Sequence, residues 1–344
     1  MLELSKIKNI LIIRTDRIGD VVLSTPTITA ARKAFPKSRI SVMAAPIAKE
    51  LVEGNPYIDE VIIYDKKKGF LSDMDFISKL KKKRFDLALI LHTTKRINII
   101  TYLARIPNRV GYKRGKFDLL LTKGLEYTKR FGEKHESEYS LDILRELGLN
   151  IESYPLFVPI DKKKQDEIMG LLYKNGLKEG KGFIVIHPGA SSRSKMWPLE
   201  YFAALSDKMI EKFSSEIVII SSEDQADIGS RVKSLMKHTS ISLCGKTSVG
   251  DLAPLFKKAL LMVSNDSGPV HIASSIGCPV ISIFSRNEPG LDPARWRPLS
   301  EKSSVFHKDA GCPVCLAHNC KKDFLCLRSV TVEEVLSKVE ELFK

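Results

Sequence analysis

The sequence predicts an α/β protein of two domains, each built around a parallel β-sheet. Three observations carry this prediction. The chain has 344 residues, too many for one ordinary core, which suggests two domains of about 100 to 200 residues each. Short continuous apolar runs such as 9–14 are typical of parallel strands buried on both faces. These runs alternate with helical patterns, first over 9–91 and again from residue 183.

The first domain begins with a strand at 9–14 and a helix that starts near Gly19 and Asp20. This helix is predicted to continue to Phe35 and to stop at Pro36, because proline cannot extend it. The next elements are strands at 39–44, 60–64 and 87–91, with a helix near 72–83. Such a series predicts a doubly wound parallel sheet.

The second domain repeats the architecture without repeating the sequence. Its predicted strands and helices are, in chain order, 183–187, 199–212, 217–221, 224–237, 260–264, 270–276 and 280–284, with a final helix at 331–343. A charged helix at 161–174 and three nearby glycines suit a linker region. We therefore expect two facing Rossmann-like domains at 1–160 and 183–330, joined by a linker region at 161–182 and followed by a C-terminal helix at 331–344.

The composition is that of a globular protein, with 43% hydrophobic and 28% charged residues, 20 Gly and 16 Pro. These values exclude collagen-like, disordered and low-complexity classes. No stretch approaches the ~18 apolar residues of a membrane span, and the N-terminus lacks the cleavage site of a secretory signal. Four of the six cysteines crowd into 312–326, unlike a secreted disulfide framework. We expect a cytoplasmic protein with reduced thiols.

The net charge of +14 is concentrated in the first domain. Residues 1–150 hold 29 Lys and Arg against 18 Asp and Glu, whereas the remainder holds 26 against 23. A first domain this basic suggests an acidic ligand such as nucleic acid, a phosphorylated sugar polymer or an anionic membrane surface. The alternative is a solvated lysine-rich surface.

Polar, glycine-containing loops follow three of the predicted strands, at 14–20, 187–198 and 264–271. Ligands of open α/β sheets bind beyond the carboxyl ends of the strands, where helix N-termini present unpaired N–H groups. Ser267 and Gly268 would let backbone N–H groups approach a diphosphate. Alternatively, Asp266 or Ser267 only caps the following helix, since both residue types are favoured caps.

Three segments in order resemble the signatures of the heptosyltransferases of glycosyltransferase family 9. They are IIRTDRIGDVVLSTP at 12–26, HPGA with KMWP at 187–198, and NDSGPVHIA at 265–273. The resemblance implies a GT-B fold, with the acceptor in the N-terminal domain, a nucleotide-sugar in the C-terminal domain, and a last helix that returns toward the N-terminal domain. It also implies transfer of heptose from ADP-L-glycero-D-manno-heptose to the inner core of lipopolysaccharide, an anionic acceptor at the membrane surface.

The resemblance further implies inversion at the anomeric carbon. Such a reaction needs a base for the acceptor hydroxyl and a cation for the departing diphosphate. Asp20 matches the family's base and Lys195 its phosphate-binding lysine. A carboxylate at a helix start is stabilised and hence weakly basic, so Asp20 requires a compensating environment. Taken alone, Asp20 could be a helix cap and Lys195 a surface lysine.

Binding residues follow from the same resemblance and from positions at strand ends. The donor candidates are Ser191, Ser192, Lys195, Glu223, Asp224, Thr247, Asp266, Ser267, Gly268 and His271, and the acceptor candidates are Arg17, His92, Thr93 and Arg96. No metal or other cofactor is expected in catalysis, because lysine and helix dipoles would carry the diphosphate. Asp73 and Asp75 have Asp-x-Asp spacing, but they sit at a helix start and are interpreted as a pair that stabilises it.

The C-terminal segment holds Cys312, Cys315, Cys320 and Cys326. Its leading Cys-x-x-Cys could belong to a tetrahedral zinc site, but the later spacings are not those of a zinc ribbon. Reduced or paired structural cysteines are the alternative.

Three other functions stay open. A family member could use another nucleotide-sugar or acceptor, since pocket residues choose the sugar. A sequence pI near 9.4 would also suit a nucleic-acid-binding protein, although the aromatic residues that usually interleave with basic ones are not evident. A two-lobed sugar-binding protein without catalysis is the third. We expect no nucleic acid as partner, and location in the cytoplasm or at the cytoplasmic face of the inner membrane.

Overall fold

A computed structural model describes residues 3–66, 69–315 and 320–344. The chain divides into two compact units, Met1–Pro159 and Ile160–Lys344. Each unit contains one six-stranded parallel sheet with helices, so the predicted α/β fold class is confirmed. The segment 161–182, predicted as a linker region, lies in the second unit.

The first unit follows the predicted series and adds two strands to it. Its strands are β1 (Asn9–Arg14), β2 (Arg39–Ala44), β3 (Glu60–Ile63), β4 (Leu87–Ile90), β5 (Asn108–Tyr112) and β6 (Lys123–Leu125). Its helices are α1 (Ile18–Val22), α2 (Thr25–Ala34), α3 (Lys49–Val52), α4 (Phe70–Lys83), α5 (Lys95–Leu103) and α6 (Glu136–Arg145).

The first sheet has the order β3-β2-β1-β4-β5-β6. In the centre, Ile13 of β1 pairs with Met43 on one side and Ile90 on the other. These side chains are fully buried, which accounts for the unbroken apolar run in the sequence. The strand order reverses between β1 and β4, and this reversal is the topological switch point at which such sheets bind ligands.

The single helix predicted over 19–35 is two helices, α1 and α2. Pro26 lacks the N–H that a continuous helix would use, and the Thr25 hydroxyl instead donates to the Val22 carbonyl at 2.7 Å. The Ser24 hydroxyl donates to the Asp20 carbonyl at 2.8 Å. The prediction was wrong at residues 23–24 because hydroxyl side chains satisfy the backbone there without a regular helix.

The second unit has the same topology. Its strands are β7 (Phe183–His187), β8 (Glu216–Ile219), β9 (Ile241–Ser242), β10 (Leu261–Asn265), β11 (Val280–Phe284) and β12 (Ser303–His307). Its helices are α7 (Lys162–Lys174), α8 (Leu199–Phe213), α9 (Ala226–Leu235), α10 (Leu252–Lys258), α11 (Gly268–Ser275), α12 (Pro293–Trp296), α13 (Leu325–Arg328) and α14 (Val332–Leu342). The sheet order is β12-β11-β10-β7-β8-β9, with the switch point between β7 and β10.

The C-terminal helix α14 completes the core of the second unit. Val335 and Val339 are fully buried in the cluster that contains Trp197 and Phe202. Thr331 and Glu334 form a reciprocal cap at its start, with the Thr331 N–H donating to Glu334 at 2.9 Å. Among the described residues, no helix has the length and apolar character that a membrane span requires.

Candidate functional site

The end of β1, the loop after it and the start of α1 place Arg14, Asp16 and Asp20 at the first switch point. Arg14 ends β1 with its side chain buried, and its guanidinium contacts three carboxylates. Its Nε lies 2.8 Å from Asp16 Oδ1, its Nη1 lies 3.0 Å from Glu136 Oε1, and its Nη2 contacts Asp20. The guanidinium also donates to the Leu91 carbonyl after β4, at 3.2 Å. Asp20 is therefore held by an interaction that links β1, β4, α1 and α6.

Glu136 and Lys129 complete this cluster, and the sequence analysis did not identify either. Glu136 begins α6 with a fully buried side chain, and the ammonium of Lys129 lies 2.7 Å from its Oε1. The cluster, hereafter the Arg14 cluster, contains Arg14, Lys129, Asp16, Asp20 and Glu136 and carries one more carboxylate than it has cations. Neither residue belongs to a motif, and both are more than a hundred residues from Asp20.

Burial raises the pKa of Asp20 above its ordinary value, and the neighbouring carboxylates of Asp16 and Glu136 raise it further. Arg14 opposes this rise, so the carboxylate is kept available while its basicity increases. The pKa of Asp16 is also raised, mainly by burial. This is the compensating environment that a helix-start carboxylate needs to act as a base.

We expect Glu136→Gln to lower the free energy of unfolding by about 3 kcal/mol, because it removes the buried carboxylate that Arg14 and Lys129 both contact. Glu138→Gln, on the same helix, is the matched control. Its side chain is partly exposed and pairs with Arg145, so the expected loss is below about 1 kcal/mol. Urea unfolding of both variants measures the difference. Equal losses would contradict a buried, charged Glu136.

The acceptor candidates fall into two groups. His92 and Thr93 lie just after β4, and the Thr15 hydroxyl is 3.4 Å from His92 Nδ1. Burial lowers the pKa of His92 to about 4, so its imidazole is neutral at pH 7. Arg17 is exposed directly before α1. The structure brings these three residues to the same switch point as Asp20.

Arg96 lies in α5 and is engaged by Asp73 of α4. Its Nε and Nη2 lie 2.6 and 2.8 Å from the two carboxylate oxygens of Asp73, which also accepts from the Tyr64 hydroxyl at 3.1 Å. The Asp73 side chain thus joins three elements, whereas Asp75 pairs with Lys79 one turn along α4. The interpretation of the two aspartates as a pair within one helix start missed this tertiary role of Asp73.

At the second switch point, Lys195 and Asp266 contact each other through their ammonium and carboxylate groups. Lys195 comes from the loop after β7 and Asp266 from the loop after β10. Both side chains are about 12% exposed, so they are shielded yet reachable. The sequence placed both in a donor site without predicting the pair, because a contact across 71 residues leaves no mark in the local pattern.

A polar chain lies beside this pair. His187 Nδ1 lies 3.0 Å from the Ser264 hydroxyl, which lies 2.9 Å from the Ser267 hydroxyl at the start of α11. The Ser267 hydroxyl is also 3.3 Å from His187 Nδ1. Helix α11 begins at Gly268, directly after Ser267, so its first turn follows this polar chain in the sequence.

Asn265 fixes the loop that carries Lys195. Its side-chain oxygen accepts from the Trp197 N–H at 2.8 Å, and its amide nitrogen donates to the Pro188 carbonyl at 2.7 Å. Trp197 is fully buried and donates through its indole N–H to the Val330 carbonyl at 2.9 Å. The Lys-x-Trp-Pro segment is therefore a structural anchor that positions Lys195.

The sequence model of the protein family "Glycosyltransferase family 9 (heptosyltransferase)" matches residues 74–325, which is more than half of the chain. The chain belongs to glycosyltransferase family 9. The predicted family and enzyme class, a glycosyltransferase, are thus confirmed.

The matches to related proteins cover most of the chain. It is 27% identical over 318 residues to lipooligosaccharide heptosyltransferase 2 of Haemophilus ducreyi, covering 86% of this chain and 88% of that protein. Among solved structures, a family 9 glycosyltransferase of Veillonella parvula superposes with a TM-score of 0.86 at 23% identity, covering 99% and 98% of the two chains. The Escherichia coli "ADP-heptose lps heptosyltransferase II" superposes with a TM-score of 0.80 at 21% identity, covering 97% and 98%. These similarities confirm a GT-B-type fold for this family 9 chain.

The remaining donor candidates of this family 9 chain are spread over three loops and helix α11. Ser191 is exposed and the Ser192 hydroxyl lies 2.6 Å from that of Ser194, while His271 is buried in α11. Glu223 and Asp224 are exposed after β8, and the half-buried Thr247 follows β9. Gly245 has a φ of +70°, and a Cβ there would lie 3.4 Å from the Glu223 backbone, so the two loops are in contact.

Gly189 marks a close approach that the sequence analysis did not assign. A Cβ at this position would lie 2.3 Å from the side-chain oxygen of Gln225, whose amide nitrogen donates to the Ala190 carbonyl at 2.9 Å. Gln225 thereby ties the loop after β7 to the loop after β8. Only glycine leaves room for this contact.

The four C-terminal cysteines are each half-buried. Burial raises the pKa of the Cys326 thiol, and the other three cysteines raise it further. In residues 3–66, 69–315 and 320–344, no group of three or more His, Cys, Asp and Glu side chains is arranged to hold a metal ion. The zinc candidate therefore stays a prediction. Asn287 anchors the segment, bonding Cys312 and Cys315 backbone groups at 3.2 and 3.0 Å.

We expect acid to destabilise the protein partly through His187. Burial lowers the pKa of His187 to about 4, whereas an unfolded histidine titrates near 6.5. The unfolded state therefore binds the proton first, and stability falls as the pH decreases from 6.5 to 4. The expected contribution is on the order of 2 kcal/mol.

The measurement is urea unfolding of the wild type and of His187→Gln at pH 7 and pH 4.5. The wild type is expected to lose more stability on acidification than the variant, which has no imidazole to protonate. Parallel losses in the two proteins would show that His187 is not held neutral by burial.

Proposed function

We propose that this family 9 enzyme transfers heptose from ADP-L-glycero-D-manno-heptose to the inner core of lipopolysaccharide, with inversion and without a metal ion. The single observation that carries the mechanism is the buried Asp20, whose pKa is raised within the Arg14 cluster. The donor is supported by the name of the E. coli neighbour and the acceptor class by that of the H. ducreyi relative.

The donor site in this proposal is the second switch point. Lys195 and the N–H groups at the start of α11 would bind the diphosphate, and the hydroxyls of Ser191 and Ser192 would donate further hydrogen bonds to it. In the structure Lys195 contacts Asp266. Binding of the diphosphate would draw the ammonium away, leaving Asp266 to accept from sugar hydroxyls. Adenosine is assigned to the loops of Glu223, Asp224 and Thr247.

Asp20 is proposed as the base that removes the proton of the attacking acceptor hydroxyl. The oxygen then forms a bond to the anomeric carbon while the bond to the ADP oxygen breaks, and Lys195 stabilises the charge that develops on the diphosphate. Arg14 positions the Asp20 carboxylate and compensates its charge between turnovers. Asp20, at the first switch point, thus acts on the acceptor hydroxyl, and Lys195, at the second, acts on the departing diphosphate.

The acceptor is assigned to the first unit. Arg17, His92 and Thr93 lie with Asp20 at the first switch point, and the basic balance of residues 1–150 suits a phosphorylated acceptor. Arg96 is a further candidate, although a ligand would have to compete with Asp73 for its guanidinium. Because the acceptor is a glycolipid, we propose a peripheral association with the cytoplasmic face of the inner membrane.

The test is turnover with ADP-heptose, compared with ADP-, UDP- and GDP-linked hexoses, before and after dialysis against a chelator. We expect turnover with ADP-heptose, unchanged by the chelator, and an inverted anomeric configuration in the product by NMR. Turnover only with another nucleotide-sugar would replace the donor but leave the mechanism. Loss of rate on chelation, or retained configuration, would overturn the metal-independent inverting reaction.

A further inference from the structure

A groove of about 480 Å³ lies between α4 and α5 in the first unit. Its walls are apolar and consist of Met74, Ile77, Ile99, Ile100 and Leu103. Two of these side chains form an open rim, since Met74 is 47% and Leu103 is 44% exposed. Exposed apolar residues that adjoin one another around a cavity mark a binding surface. None of these side chains has a part in the proposed glycosyl transfer.

The charged residues of the groove lie at the start of α5, in the first part of α4 and in the turn before α4. Lys66, Lys95 and Arg96 line this part, together with Asp73, so the lining carries two more cations than carboxylates. Lys66 and Lys95 are exposed, and Lys95 extends its ammonium over the Phe117 ring, 4.6 Å from the centroid. Asp73 is occupied by Arg96, so the two lysines are the cations available to a ligand.

Two further exposed apolar side chains lie on α5 and on the turn that packs against it. Tyr102, next to Leu103 on α5, is 50% exposed, and Leu119, in the turn that packs on α5, is 80% exposed. Helix α4 adds the exposed lysines Lys79, Lys81 and Lys82. A surface that combines apolar side chains with lysines is typical of proteins that bind at the headgroup region of an anionic bilayer.

We propose that this groove binds one acyl chain of an anionic bilayer phospholipid, with Lys66 and Lys95 at its phosphate. A phospholipid fits because it combines an apolar chain with a single anionic end, as the groove combines apolar walls with one cationic end. The choice of a lipid rests on the proposed function, which places the acceptor at a membrane. The apolar walls of the groove have no part in the proposed transfer, and Arg96 is the lining residue that is also an acceptor candidate. A lipid bound there would keep the enzyme at the surface where its acceptor lies.

The experiment measures binding of the full chain to vesicles of phosphatidylcholine alone and with phosphatidylglycerol. We expect binding that requires phosphatidylglycerol, at least tenfold weaker binding for Leu103→Glu, and about fivefold weaker binding for Lys95→Glu, the effect of about one kcal/mol per lysine. Leu235→Glu is the matched control, because Leu235 also ends a helix and is 42% exposed. Lys178→Glu controls for charge. Both controls should bind within twofold of the wild type.

A second arm separates the groove from adsorption on the general basic surface. Titration with monomeric lysophosphatidylglycerol should show one site per chain, lost in Leu103→Glu and weaker for lysophosphatidylcholine. Binding of vesicles without a saturable lysolipid site, or equal binding by Leu103→Glu, would overturn the proposal. Binding of an amphipathic peptide in the groove, without binding of the lysolipid, would also overturn the proposal.

The variants also distinguish this proposal from the enzymatic one. Transfer to a water-soluble, deacylated acceptor should be unchanged in Leu103→Glu and Lys95→Glu, because neither residue has a role in the reaction. If the wild type transfers no sugar while lipid binding behaves as described, the proposed function fails and the groove stands. If transfer is normal while lipid binding ignores the groove variants, the opposite holds.

Discussion

Asp20→Asn is expected to lower kcat by about 10²- to 10⁴-fold, the range typical of a lost general base. The substitution keeps the size of the side chain and removes the atom that would take the proton. The ADP dissociation constant should stay within about twofold, because the nucleotide is assigned to loops of the second unit. The acid limb of the wild-type profile of kcat/KM should lie above the pKa of an ordinary aspartate, since burial raises the pKa of Asp20.

Asp16→Asn is the matched control for this prediction. Asp16 is the same residue type, contacts the same guanidinium at 2.8 Å and also has a raised pKa. If Asp20 is the base and Asp16 only a neighbour, Asp16→Asn should cost less than tenfold in kcat. Steady-state kinetics and calorimetric titration of ADP decide the matter. Equal losses in the two variants, or a loss of ADP binding in Asp20→Asn, would assign the whole cluster a structural role.

Lys195→Ala is expected to weaken ADP binding and to lower kcat as well. An ammonium that contacts the diphosphate in the ground state contributes to affinity, and it contributes more as the leaving group gains charge. We expect about 10²- to 10³-fold in kcat, as for the removal of one donor to a developing anion. The variant also leaves the shielded Asp266 without its partner, so its fold must be verified by unfolding.

Arg193→Ala is the control for Lys195→Ala. Arg193 is two residues away in the same loop and is exposed, so its removal changes the net charge equally without touching the pair with Asp266. It should bind ADP within about twofold of the wild type. If both variants weaken ADP binding alike, the loop attracts the nucleotide by general charge and Lys195 has no specific contact with it.

The central strands of both sheets were predictable because they are buried on both faces. Their centres, such as 10–13 and 183–186, contain only apolar residues. Strands β5 and β12 were missed because Asn108–Tyr112 and Ser303–His307 mix polar and apolar residues. Strand β6 was also missed, because it lies at the sheet edge, where a short segment is enough to pair with one neighbour and leaves little pattern in the sequence.

The candidate site was predictable where its residues share a loop with a helix start. Asp20, Lys195 and Asp266 stand out because the loops after central strands are where such sheets bind ligands. Glu136 and Lys129 could not be found in this way. They reach Arg14 from a distant helix start and a turn, and only the tertiary fold brings the buried charges together. The same holds for Asp73 and Arg96, whose contact depends on the packing of α4 against α5.

The most direct test is mass spectrometry of a lipopolysaccharide core acceptor after incubation with ADP-heptose and wild type, Asp20→Asn or Lys195→Ala in parallel. The account predicts that the acceptor gains one heptosyl residue with the wild type and remains unmodified over the same time with either variant. An acceptor that the variants modify as fast as the wild type would contradict the assignment of base and phosphate ligand. An acceptor that even the wild type leaves unmodified would contradict the proposed reaction itself.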